Sequence, residues 1–225
     1  MLLRGLTDLL QQKFRYYYSY SFFKMAQILQ YPPLISYFVS NFWIHSQILL
    51  NNIQILNLPL ILRNQHLDDD TLKTLIENKY ISSESDFLIM IQTQQLTDSF
   101  LTKYQQELNW SWISCYQVLS EETIRKFKEH VDWSFISLKQ LLSVDFILEF
   151  HDNIDWFTIM KNPFLRLDFI TRCQQYLDWD SVSLYMTLNI PLLKQYQDRL
   201  NWDLISSERI LTENKILQFE DQLNF

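Results

Sequence analysis

Any chemistry in this chain would have to come from four histidines, two cysteines and the few places where acids recur. His45, His66, His130 and His151 show no HExxH or other close ligand spacing, and read as solvated side chains rather than as a metal pair. Cys115 and Cys173 are too few for a disulfide framework, and read as two small buried hydrophobes in a reducing, intracellular setting. The run Asp68-Asp69-Asp70 could hold a cation, but reads better as a helix cap followed by first-turn acids. Asp132, Asp155 and Asp178 recur at equal spacing and could suggest paired acid–base work, yet each already has a task as a helix cap. No Ser, Cys and His constellation follows from spacing. The sequence therefore supports no catalytic residue, no metal site and no cofactor, and the expectation is a protein that is not an enzyme.

The elements that carry these residues are set first by composition. The chain has 225 residues and a single glycine, Gly5, where an average protein of this length carries roughly sixteen. That excludes a phosphate-cradling P-loop and a dinucleotide fingerprint, and leaves no glycine for tight hairpin turns. The chain is expected to be all-α. With 48% hydrophobic residues, 16 Phe, 12 Tyr and 7 Trp, it can build a substantial core. Its net charge of −7 is uneven. Residues 1–65 hold Arg4, Lys13, Arg15, Lys24 and Arg63 against Asp8, net +4, which leaves −11 for the rest. The larger part is expected to repel nucleic acid and anionic membranes. No secretory signal is convincing, and the most apolar stretch, from Pro33 to Leu50, is interrupted by Asn41, His45 and Gln47, which argues against an integral membrane protein.

The strongest signal is a period. Phe87, Trp110, Trp133, Trp156, Trp179, Trp202 and Phe225 stand 23 residues apart without a gap. Counting each as position 0, position 3 reads Met90, Ile113, Ile136, Ile159, Val182 and Ile205, and position 9 is always leucine, from Leu96 to Leu211. Position 10 is Thr97, Ser120, Ser143, Arg166, Asn189 and Thr212, position 14 is Leu or Ile, and position 22 is Asn or Asp. A weaker unit aligns over 58–86 with about six extra residues. These columns predict two helices per unit. An A-helix of about ten residues is capped at position 10, with a stripe at positions 13, 14, 17 and 21, and a shorter B-helix is capped at position 22 with its Trp in the first turn. Helices this short cannot bury their own stripe, so each unit must rely on its neighbours, which is the logic of an α-solenoid. The tryptophans are expected to stack as an internal column, and the units around Arg166 and Asn189, which also hold Pro163 and Pro191, to be the least regular.

Segments such as Leu119-Ser120-Glu121-Glu122-Thr123-Ile124 with Val131-Asp132-Trp133 and Ile136-Ser137 resemble the "LSEDFI…DWxxIS" tandem repeat of uncharacterised proteins of large DNA viruses and some phages. The resemblance covers residues 87–225, or 58–225 with the degenerate unit, and implies a fold and a viral setting, but no catalytic residue. It makes the host cytoplasm or the virion the expected location.

Two places are expected to meet partners. Position 2 reads Trp112 and Phe135 in successive units, roughly opposite the core face, and forms either an exposed aromatic patch or a second buried face. Residues 1–57 fall outside the period and concentrate aromatics around Arg15, Tyr16, Tyr17 and Tyr18. They read either as a terminal cap over the first unit or as a docking segment for another protein. Together these features predict a protein–protein interaction scaffold or adaptor, with host or viral coat proteins as partners. The alternative is a minor capsid component that bridges coat subunits, with self-association through the solenoid ends.

Overall fold

The computed structural model describes residues 32–208 and 212–223, and all of its regular structure there is helical: 16 α-helices and a 3-10 turn, with no strand among the described residues. The described residues divide into two compact units, one ending at Leu108 and the other beginning at Asn109.

The first unit contains α1 (Pro32–Asn41), α2 (Ser46–Asn52), the 3-10 turn Ile53–Ile55, α3 (Leu58–Asn64), α4 (Asp69–Glu77), α5 (Glu84–Thr93) and α6 (Asp98–Lys103). Helix α3 packs against α1 and α5, and α2 against α4. The second unit contains α7 (Trp110–Tyr116), α8 (Glu121–Lys126), α9 (Trp133–Lys139), α10 (Val144–Glu149), α11 (Trp156–Ile159), α12 (Asp168–Cys173), α13 (Trp179–Tyr185), α14 (Ile190–Gln195), α15 (Trp202–Glu208) and α16 (Glu213–Gln218). Here the B-helices α7, α9 and α11 pack in succession, as do α13 and α15, and the A-helices α10 and α12 pack together.

The capping columns act as the sequence requires, except that Thr212 makes no side-chain cap bond and Arg166 does not cap α12. At position 10, Asp68, Thr97, Ser120, Ser143 and Asn189 each accept the backbone N–H three residues on. At position 22, Asn57, Asn109, Asp155, Asp178 and Asn201 accept from the third residue on, and Asp132 from the second. These bonds satisfy backbone donors that a short helix leaves open. The apolar columns are buried: Ile61, Met90, Ile113, Ile136, Ile159, Val182 and Ile205 at position 3, and Leu72, Leu101, Ile124, Ile147, Ile170 and Leu193 at position 14.

Three expectations change. The A-helices from α6 to α16 have six residues rather than ten, and the B-helices, mostly of seven, are not the shorter ones. The aromatic at position 17 ends the A-helix: Phe127 has φ −111 and ψ 24, and its carbonyl accepts from His130 and Val131 in a turn. The tryptophans do not stack on one another. Trp110, Trp133, Trp179 and Trp202 instead pack on Phe127, Phe150, Tyr196 and Phe219 of their own repeats. The indoles of Trp133, Trp156 and Trp202 also donate to the carbonyl five residues back. Finally, the unit around Arg166 is irregular but that around Asn189 is not. Helix α11 has four residues, and α12 begins at Asp168 behind Leu167, which makes no side-chain cap bond. With Cys173 in the aromatic column, Tyr176 takes over the stack on Trp156. Asn189, by contrast, caps α14 normally, and Pro191 sits in its first turn where no N–H is needed.

The linker between α4 and α5 ends α4 with a left-handed residue, Lys79, at φ 60. Tyr80 N–H reaches Leu75 O at 2.8 Å and Lys79 N–H reaches Ile76 O at 2.9 Å, the two bonds of a Schellman turn. Glycine usually fills that place, so lysine holds it under strain.

Candidate functional site

Most polar side chains inside the units are consumed by structure, with the buried Tyr104 hydroxyl left without a hydrogen-bond partner among the described residues. Position 7 holds a buried glutamine whose amide clamps the preceding helix pair. Gln140 Nε2 donates to the carbonyls of Ser114 (3.1 Å) and Gln117 (2.8 Å), while its Oε1 accepts the Leu119 N–H at 3.0 Å. Gln94 makes the same three bonds to Leu62, Gln65 and Leu67, and Gln65 makes them to Val39, Phe42 and Ile44. The register of the last set puts a further helix pair at 35–57, with Ile35 at position 0 and His45 capping α2 through its Nδ1. In the irregular unit Asn162, one position earlier, donates to Ser137 O and Gln140 O.

Serine at position 4 does similar work. The buried Ser114, Ser137 and Ser183 hydroxyls accept the N–H of Asp132, Asp155 and Asn201, the caps of the next B-helices. The cap carboxylates are tied further by Ser111 to Asp132 (2.9 Å) and Ser134 to Asp155 (3.1 Å). Burial pushes the Asp155 carboxyl up, but hydrogen bonds from Thr158, Ser134 and Phe157 together hold it below the usual carboxylate range. The Ser181 hydroxyl and N–H do the same for Asp178, and Thr71 does so for Asp68. These shifts come chiefly from hydrogen bonds that neighbouring N–H groups and hydroxyls donate to the caps, with a smaller contribution from His45 at Asp68.

His130 stacks on Trp110, and His151 contacts Tyr176, with its Nδ1 3.1 Å from Leu148 O. No group of three His, Cys, Asp or Glu side chains able to hold a metal forms among the described residues. The buried Cys173 thiol is pushed up to about 11 by burial, which makes it a poor nucleophile. No described helix is long and apolar enough to cross a membrane.

What remains is surface. Trp112 and Phe135 are half-buried on neighbouring helices α7 and α9, between the exposed patch and the second buried face that the sequence allowed. Arg15, Tyr16, Tyr17 and Tyr18 lie outside the described residues. The exposed apolar groups stand in other columns. Position 8, in the turn from B-helix to A-helix, presents Val118 (92% exposed), Leu141 (68%) and Phe164 (52%) in three successive repeats. Position 1 presents Phe157, and position 6 presents Tyr116 and Tyr185.

Around Phe157 the surface is organised. The rings of Phe157 and Tyr185 meet edge to face at 6.0 Å, and Lys161 Nζ lies 4.0 Å from the first centroid and 4.6 Å from the second. Lys139 lies in the same way over Tyr116, at 5.9 Å, with its ammonium 3.4 Å from Cys115 Sγ. The sequence signal for these positions was variability within the repeat: position 8 is Gln95 and Thr187 elsewhere, and position 1 is Ser111 and Ser134. No known protein family, curated protein or solved structure matches this chain.

Proposed function

We propose that the chain is an α-solenoid interaction module, a scaffold or adaptor that binds another protein through its B-helices and the turns that follow them. The observation that carries this reading is where exposed apolar surface stands. Among the described residues of the second unit every large exposed hydrophobic except Leu217 falls at repeat position 1, 6 or 8, on a B-helix or its following turn. Exposed apolar clusters on a folded chain mark contact surfaces. The stack of α7, α9 and α11, each bonded to the one before, supports the solenoid reading, because it repeats one interface rather than building a closed core. The resemblance to repeats of large DNA viruses makes a host or virion protein the partner class to test.

The test replaces Val118, Leu141 and Phe164 together by serine and compares co-purifying proteins quantitatively with those of the unaltered chain. Because all three side chains are exposed, melting is expected to shift by no more than about 2 °C, while one or more near-stoichiometric partners are lost. An unchanged set of partners would refute the reading. Fixed integer ratios to one abundant coat-type protein would make the partner a virion component.

A further inference from the structure

The interaction reading leaves open what kind of partner is recognised, and the cluster of Phe157, Lys161 and Tyr185 narrows it. We infer that this cluster, with the neighbouring Lys139 and Tyr116, binds a short acidic peptide segment that carries an aromatic or large aliphatic side chain beside its carboxylates. The inference rests on the interaction-module reading and adds the chemistry of the ligand.

The starting point is the chain's departure from its own pattern. Position 1 holds serine in the two preceding repeats, where Ser111 and Ser134 bond the next cap carboxylate. In the irregular repeat it holds Phe157, which forgoes that bond and stands 53% exposed. The exchange gives up that polar link for ring contacts and leaves about half of the side chain in solvent. It does build one wall of an aromatic corner, with Tyr185 as the other and the Lys161 ammonium seated between them.

The charge of that corner is open. Arg125 is matched by Glu149 at 2.8 Å, Arg172 by Asp145 at 2.6 Å and Arg166 by Asp168 at 3.6 Å. Among the described residues neither Lys139 nor Lys161 has a carboxylate within ion-pair distance. An ammonium resting on ring faces keeps N–H donors pointing away from them, so a carboxylate approaching from solvent completes the set. The exposed ring edges then offer apolar area to a flanking side chain.

The charge around the corner limits the ligand. Residues 109–225 carry 17 Asp and Glu against 11 Lys and Arg, and a nucleic acid needs several phosphate contacts along its length. A long polyanion would run from two lysines into acidic surface, whereas a short anionic segment ends on them.

The experiment selects binders to the full chain from a displayed library of random peptides about twelve residues long. Survivors are then measured against Lys161→Glu, Phe157→Ser and a control on the A-helix side, Lys126→Glu. Phe157→Ser installs the residue the preceding repeats carry, so it is expected to fold. The expected survivors carry Asp or Glu beside Phe, Trp or Leu, and lose about tenfold in affinity with either cluster variant and little with the control. They weaken as salt rises from about 50 to about 300 mM. Survivors that are basic or uncharged, survivors that bind the variants equally, an absence of survivors, or a single-stranded oligothymidylate that binds with the same dependence on Lys161 would each overturn the inference. If the serine triple variant loses its partner while the Lys161 and Phe157 variants keep it, the cluster assignment fails and the interaction reading stands.

Discussion

Replacing Gln140 by methionine keeps the volume and removes the amide. Gln140 is 4% exposed, so water cannot take over its bonds. The substitution strands two carbonyls, those of Ser114 and Gln117, and the N–H of Leu119. A net contribution of about 1 kcal/mol per bond sets a floor of about 3 kcal/mol, three stranded buried groups at about 1–3 kcal/mol each set a ceiling of about 9, and relaxation of the neighbouring groups places the loss near the floor, at about 4. Apolar burial of the methionine offsets about 1 kcal/mol of this, which leaves a loss of about 3. For a chain of this size that lowers the midpoint by about 6 to 12 °C, read by circular dichroism at 222 nm. Gln174→Met, at an exposed position, serves as the control and is expected to change little.

A second variant tests the direction of the bonds. Gln140→Glu keeps an acceptor for the Leu119 N–H but turns a carboxylate toward two carbonyls, so the folded chain favours the protonated acid and its pKa rises above that of an unfolded glutamate. Its stability is then greatest below the unfolded value and is lost as pH rises through the folded one. The variant should be closer to the native midpoint at about pH 4 than at about pH 7. A Gln140→Met midpoint within about 2 °C of the native one, or a Gln140→Glu loss independent of pH, would refute the clamp.

Trp133→Ala removes a half-buried ring 5.2 Å from Phe150 and an indole bond to Lys128 O, and should cost about 3 kcal/mol, whereas Ser143→Ala removes one cap bond and should cost about 1; equal losses in urea titrations would contradict these roles. Lys79→Gly should stabilise the first unit by about 1 kcal/mol, because glycine relieves the left-handed strain at φ 60 without disturbing the two turn bonds, and a lower midpoint would show that the lysine side chain is needed there. Hydrogen bonding holds the Asp68, Asp155 and Asp178 carboxyls low in the folded chain, so the stability they confer is complete above the unfolded aspartate value of about 3.9 and falls as acid protonates the caps. Changing Asp155 and Asp178 to asparagine, the residue already capping at Asn109 and Asn201, should flatten that acid slope while leaving the neutral midpoint nearly unchanged, and an unaltered slope would count against the capping account.

The repeat was legible in the sequence wherever a residue works alone or with its near neighbours. Ser120 and Asp155 announce helix starts because a short acceptor side chain reaches the second or third N–H along, and Ile136 and Ile147 announce the core by spacing alone. Bonds that span repeats were not legible. Gln94, Gln117 and Gln140 stand at the same interval as the tryptophans, yet a glutamine in a sequence looks like surface until the carbonyls it meets are known. Ser137 is part of the quoted motif, but its acceptor role depends on Asp155, 18 residues away in the chain. The start of the pattern was hidden for the same reason. Ile35 replaces the aromatic, His45 the serine and Asn52 the ring at position 17, so only the bonds of Gln65 to Val39, Phe42 and Ile44 disclose the helix pair before residue 58. The length of the A-helix was misjudged because the aromatic at position 17 fits a continuing stripe as well as it fits the turn it actually begins.

This division between local and spanning bonds also says where function can be written. A buried amide with three fixed partners tolerates almost no change, and the same holds for a serine that receives the next cap's N–H. Between them these groups set the register of each helix pair without help from the surface. The ion pair of Arg125 with Glu149 is exposed on both sides and screened by solvent, so it holds the stack less firmly than these buried bonds do. Position 8, in the turn after the B-helix, is therefore free of such demand, while at position 1 the serine that ties a cap in one repeat gives way to Phe157 in another. A half-exposed phenylalanine with an ammonium 4.0 Å from its face exchanges the cap bond that Ser134 makes for ring contacts with Lys161 and Tyr185.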